Sequence, residues 1–216
     1  MFCTKIKICD VRTAEALQIC QDNNIDFIGL HQINPPITAE NIALFQNIVA
    51  ASGEIKTVLL SKTVPIDEIV DILKQVPFDY VQLHRTCSIA DIIELKSKVL
   101  HETGRKIGVI AVFEAKACNF NEVLEISHYA EFVLFDSDYK GGTGLRISKA
   151  DLEKIAQNCK GINYFIAGGL DPGNVEDVIR IAKPYGVDVQ TGLEVSKHTK
   201  DPQKVKSFVR NVRACQ

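Results

Sequence analysis

Apolar and polar residues along this chain fall into two alternating patterns. Short runs rich in β-branched and aromatic residues occupy positions 4–9, 26–31, 56–60, 80–84, 107–113, 132–136, 163–167 and 187–191. These runs are near-continuous rather than apolar–polar alternations, as expected of parallel strands covered on both faces. Between them, apolar residues recur at helical spacing. Ile66, Ile69, Val70 and Leu73 form one such set; Val175, Val178, Ile179 and Ala182 a second; Val205, Phe208, Val209 and Val212 a third. Helix start signals precede several of them. Ser88 with Asp91, and Ser148 with Asp151, read as capping boxes with Asp in place of Glu. Asp171-Pro172 and Asp201-Pro202 each place a capping acid before a proline at the first helical position.

Eight strands, each followed by a helix, fit either an open doubly wound sheet or a closed barrel. The regular repeat, with no leftover segment, favours an α/β fold with parallel strands: a single (βα)8 TIM barrel spanning residues 1–216 as one domain with short loops. A chain of 216 residues is long enough to bury such a core.

Composition narrows the function. The net charge of −2 provides no field for nucleic acid or an acidic membrane, and no apolar run reaches membrane-spanning length. The N-terminal MFCTKIKICD lacks the apolar core of a signal peptide. The seven cysteines are scattered and never spaced as CxxC. That pattern argues against a disulfide framework or a metal site and fits a reducing cytoplasm. The charge and composition leave oligomeric state open, and no cofactor is expected.

In such barrels the chemistry lies at the C-terminal ends of the strands. There the sequence places Cys9, His31, His84 and Asp136, then Ala167-Gly168-Gly169 and Thr191-Gly192. Taken singly, each has an ordinary structural role: a small buried thiol, rim histidines, a loop-capping acid, turn glycines. Their shared position at one end of the strands points instead to a site. Glycines let backbone N–H groups approach an anion, so Gly168, Gly169, Gly192 and Thr191 are candidate phosphate binders. The loop Gly141-Gly142-Thr143-Gly144 reads as a lid or part of the same rim. Strand parity puts Lys7 and Cys9 on one face, so an inward Cys9 implies an inward Lys7 needing a buried partner. Barrel closure makes strand eight its neighbour, and Asp188 is the expected partner.

These residues resemble the phosphoribosylanthranilate isomerase family of tryptophan biosynthesis, over nearly the whole chain. The likeness is carried by KIC (7–9), VQLH (81–84), LFDSDYKGGTG (134–144), IAGGLDPGNV (166–175), GVDVQTGLE (186–194) and KD (200–201). The resemblance implies a (βα)8 barrel performing an Amadori rearrangement of a phosphorylated aminoaldose to an aminoketose. It implies Cys9 as general base and Asp136 as general acid. The partner would be a small phosphorylated sugar.

The chain departs from the family pattern at four places. Asp10 stands where the family has Gly after the Cys, and Arg85 where it has Gly after VQLH. Ile147-Ser148-Lys149 replaces a Phe-Asp-Trp, and Pro36 occupies the place of an Arg that binds the anthranilate carboxylate. Losing such a charge-assisted contact costs about 1.5–3 kcal/mol, tenfold or more in binding. Arg12 or Arg85 is the expected replacement, Arg85 ahead of Arg12 because a long side chain stands there in place of the family's glycine beside His84, with His84 and Gly142 completing the substrate contacts. The alternatives are a family member acting on another phosphorylated aminoaldose, and a non-catalytic barrel that binds a phosphate ligand.

Overall fold

Alternate residues of the strands point to opposite sides, and here both sides are apolar. In the computed structural model, which describes residues 4–84, 87–137 and 145–215, the strands are β1 (Lys5–Cys9), β2 (Phe27–Gln32), β3 (Lys56–Ser61), β4 (Tyr80–Leu83), β5 (Gly108–Glu114), β6 (Phe132–Asp136), β7 (Tyr164–Ile166) and β8 (Gly186–Val189). They close into a parallel barrel in sequence order, with β8 pairing back onto β1. The helices are α1 (Ala14–Asp22), α2 (Ala39–Ala51), α3 (Ile66–Gln75), α4 (Ile89–Thr103), α5 (Phe120–Ile126), α6 (Lys149–Asn158), α7 (Val175–Ala182) and α8 (Pro202–Ala214). A short antiparallel hairpin, β9 (Glu194–Ser196) and β10 (Thr199–Lys200), separates β8 from α8.

Two apolar clusters result. Ile6, Ile8, Ile28, Leu30, Val133 and Phe135 face outward and pack with the buried faces of the helices. Phe27, Phe132, Phe165 and their neighbours fill the barrel interior, with Tyr80 and Tyr185 against them. The three phenylalanines meet edge-to-face, with ring centroids 5.3–5.9 Å apart. Read toward the C-terminal end, the inward faces become polar: Tyr80 is followed by Gln82 and His84, and Phe132 by Leu134 and Asp136. An aromatic floor thus lies under a polar mouth.

The capping signals form as read at Ser88 and Asp201; at Ser148 only half of the box forms, the Asp151 carboxylate accepting from Ser148 Oγ rather than from its backbone N–H. Ser88 and Asp91 make a full capping box, Ser148 accepts from the Asp151 N–H, and Asp201 caps α8 ahead of Pro202. At Asp171-Pro172 the reading fails. The Asp171 carboxylate accepts from the Gly173 N–H and from Arg146, making a turn of its own. Helix α7 begins later, at Val175. Strand ends also differ slightly: β2 runs one residue past His31, and β8 stops at Val189, with Thr191–Leu193 forming a 3-10 turn.

Candidate active site

The mouth holds a cavity of about 430 Å3 whose wall includes Cys9, Asp136, His84, Gln82, Gly168 and Gly169. Arg12 and Thr191 lie on the same wall. Gly192 does not line it. A Cβ there would stand 1.9 Å from the Leu170 carbonyl oxygen, so Gly192 lets the loops after β7 and β8 touch. Gly168 adopts φ +86, and a Cβ on it would meet Ser137 at 2.7–2.8 Å. The glycines therefore fix the close packing of three loops around the cavity rim. Arg85, Gly142 and the rest of the Gly141–Gly144 loop lie outside the described residues.

Cys9 sits in a buried triad. Lys7 Nζ donates to Asp188 Oδ2 at 2.8 Å and to Cys9 Sγ at 2.7 Å, and Cys9 Sγ lies 3.5 Å from the same carboxylate oxygen. The pairing expected from parity and closure is present, and Lys7 is completely buried. Burial opposes the charge on Lys7, but Asp188 and Cys9 outweigh it and hold the lysine above its ordinary range. Burial, reinforced by the Asp188 charge, pushes the Cys9 thiol up to about 12 against the pull of Lys7. Burial thus favours the neutral thiol of Cys9, and the neighbouring Lys7 ammonium opposes it. Gly29 of β2, opposite Cys9 in register, makes the room: a Cβ at that position would stand 2.7 Å from Sγ.

Asp136 closes the other side. Its Oδ1 accepts from the Ser137 N–H at 2.6 Å and from Ser137 Oγ at 3.2 Å. Oδ2 faces His84 Nε2 at 3.9 Å, and His84 Nδ1 is 3.4 Å from the Gln82 amide. A buried thiol and a buried carboxylate thus face one cavity, with glycine loops at its rim. A site so built can move one proton at each of two atoms of a small ligand.

A family model described as N-(5'-phosphoribosyl)anthranilate (PRA) isomerase matches residues 6–211. The chain belongs to the PRA isomerase family. It is 30% identical to the PRA isomerase of Leptospira interrogans, over 98% of this chain and 95% of the relative. It is 31% identical to that of Aquifex aeolicus, over 97% and 98% of the two chains. The solved PRA isomerase of Pyrococcus furiosus superposes with a TM-score of 0.76 at 29% identity, covering 98% of this chain and 99% of that one.

Against the pattern of the PRA isomerase family, two departures gain a physical reading. Asp10 adopts φ 61, a left-handed conformation that glycine takes freely and aspartate tolerates better than most residues. Pro36 is exposed and absent from the cavity wall, so the loop after β2 brings no cation there. The sequence reading missed Gly29, Gln82, Lys197 and His198. Parity along β4 would have found Gln82, since it shares a face with His84. Lys197 and His198 reach the cavity only because residues 194–200 turn back as a hairpin, which no apolar period announces.

Proposed function

We propose that this chain catalyses the aldose–ketose isomerisation of N-(5'-phosphoribosyl)anthranilate, with Cys9 as base and Asp136 as acid. The observation that carries the reading is that these two groups, from β1 and β6, line one cavity whose rim is built from glycine loops. The phosphate would rest on backbone N–H groups of Gly168, Gly169 and Thr191, a common phosphate position in such barrels, with Gly192 holding the loop that carries Thr191 in place. Asp136 gives its proton to the ring oxygen as the bond from that oxygen to the anomeric carbon breaks. The nitrogen lone pair forms an iminium. The Cys9 thiolate takes the proton from the adjacent carbon, and that electron pair forms the enolamine, which tautomerises to the aminoketose.

The triad supports the second step. The iminium brings a positive charge over Sγ, where the Lys7 ammonium already stands, and two cations facing one sulfur favour thiolate. Asp188 is in reach to accept the thiol proton. Substrate binding thus supplies what the free site lacks. A non-catalytic binder would use neither Cys9 nor Asp136. A different phosphorylated aminoaldose is favoured by one observation only, the absence of a cation at residue 36.

Incubating the protein with N-(5'-phosphoribosyl)anthranilate and following loss of the anthranilate fluorescence tests the reading. Turnover that disappears in Asp136→Asn supports it. No turnover by the unmodified protein, with conversion of a decarboxylated aminoaldose, would assign the other substrate.

A further inference from the structure

Asp10 is completely buried, yet it carries a carboxylate at the edge of the cavity. Its left-handed backbone aims the side chain at two partners from opposite ends of the chain. Oδ1 accepts from Arg12 Nε at 2.7 Å, and Oδ2 pairs with His198 Nδ1. His31 Nδ1 lies 3.8 Å away. The position where the family has a glycine has therefore become a clamp. It fixes the guanidinium in the loop after β1 and ties down the tip of the β9–β10 hairpin, which also brings Lys197 to the wall.

The clamp uses only part of Arg12. Nε is engaged, while the two Nη atoms make no hydrogen bond among the described residues, and the side chain is 34% exposed. That leaves the paired Nη edge of a planar fork open on a residue of the cavity wall, a group whose shape matches a carboxylate. Arg12 and Lys197 bring two positive charges against the one carboxylate of Asp10, so this wall has room for an anion.

We propose that Arg12, held by Asp10, receives the aromatic carboxylate of the substrate, with Lys197 and His198 completing that subsite. This rests on the isomerase reading for the identity of the ligand. It makes Arg12, on the loop after β1, the specificity-determining residue, and it accounts for the loss of the cation at residue 36.

Calorimetric titration with three ligands tests it: the reduced carboxyphenylamino-deoxyribulose phosphate, the same compound lacking the carboxylate, and inorganic phosphate. The unmodified protein should bind the carboxylated compound about tenfold or more tighter than its decarboxylated analogue. Arg12→Met should abolish that preference and leave the other two affinities within about twofold. Arg12→Lys, which keeps the charge and the fold but loses the fork, should recover only part of the preference. An equal loss on all three ligands would make Arg12 a phosphate or structural residue and overturn the proposal, as would an unmodified protein with no preference. Turnover is scored separately. Preference without turnover removes the isomerase reading and keeps the subsite; turnover with a Michaelis constant insensitive to Arg12→Met does the reverse.

Discussion

Lys7 Nζ lies 2.7 Å from the sulfur of Cys9, as close as it lies to its ion-pair partner Asp188 at 2.8 Å. The lysine is therefore shared between a carboxylate and a thiol. With the Cys9 thiol pushed up to about 12, its thiolate fraction grows about tenfold per pH unit below that value. The rate constant for isomerisation should rise with pH across the neutral and alkaline range. Removing the ammonium in Lys7→Met should move that limb further to the alkaline side and lower turnover at neutral pH by about tenfold or more. It also leaves Asp188 buried without its cation, at a cost of about 3–5 kcal/mol. A pH–rate profile that stays in place while stability falls would reduce Lys7 to a structural role.

The two groups proposed for proton transfer should separate binding from chemistry. Cys9→Ala and Asp136→Asn should each lower the rate constant by about 100-fold or more. Neither should change the affinity for inorganic phosphate by more than about twofold, because neither belongs to the phosphate subsite. Single-turnover kinetics with phosphate titration on the same preparations check both halves. Normal turnover in Cys9→Ala would move the base elsewhere.

Gly29 should behave as a catalytic-geometry position without touching substrate. In Gly29→Ala the new Cβ would begin 2.7 Å from Sγ, so the thiol must shift away from Lys7. A displacement of about 1 Å at a reacting group can cost about 100-fold in rate. We expect that loss in the rate constant with little change in the Michaelis constant. Iodoacetamide labelling of Cys9 should change rate in parallel, giving an independent reading of the displaced sulfur.

Much of this arrangement was legible in the chain, for reasons particular residues show. The barrel followed from near-continuous apolar runs, since strands buried on both faces carry few polar residues. Lys7 and Asp188 followed from parity plus closure, which together leave an inward lysine one neighbour of opposite charge. The Asp171-Pro172 signal misled because a capping acid and a turn-forming acid look alike until Arg146 is seen to hold the carboxylate. The 194–200 hairpin was invisible for a different reason. Its one strongly buried member is Lys200, neutralised by Glu194 at 2.8 Å, and a charged pair gives no hydrophobic period to read. With the hairpin went Lys197 and His198.

Gly192 offers a test of the rim. In Gly192→Ala the added methyl would meet the Leu170 carbonyl oxygen at 1.9 Å, forcing the loops after β7 and β8 apart. The N–H groups proposed for phosphate would lose their common target. The Michaelis constant should rise about tenfold or more, with a smaller drop in the rate constant, because phosphate binding serves ground and transition states alike. A crystal of the variant soaked in phosphate would show whether the anion is lost. Retained phosphate with an unchanged Michaelis constant would place its subsite elsewhere.

His31 predicts an acid limb in stability. Burial, aided by the Lys7 and Arg12 charges, depresses its pKa from 6.5 to about 4 despite Asp10 and Asp188. A depressed folded-state value means that the stability is complete above about pH 6.5 and drains away as pH falls toward about 4, on the order of 3 kcal/mol in all. Asp10 is held below its ordinary 3.8 because, although burial raises it, His31, His198 and Arg12 outweigh that effect; its own loss comes only at lower pH. Urea unfolding across this range should show the slope in the unmodified protein and a flatter curve in His31→Gln. An identical slope in both would assign the acid sensitivity to another group.

The β1–β8 seam that closes the barrel also joins residues from the two ends of the chain. Lys7 enters its strand near the start of the chain, and its counter-charge arrives 181 residues later. Until β8 docks, β1 is an open edge on which Lys7 can keep its water; closing the seam buries the ammonium and pairs it with Asp188 in one step. Joining ends so distant in sequence is slow, since loop closure must precede any gain from the contact. The surroundings of the Cys9 sulfur therefore exist only once the two ends of the chain have met across this seam.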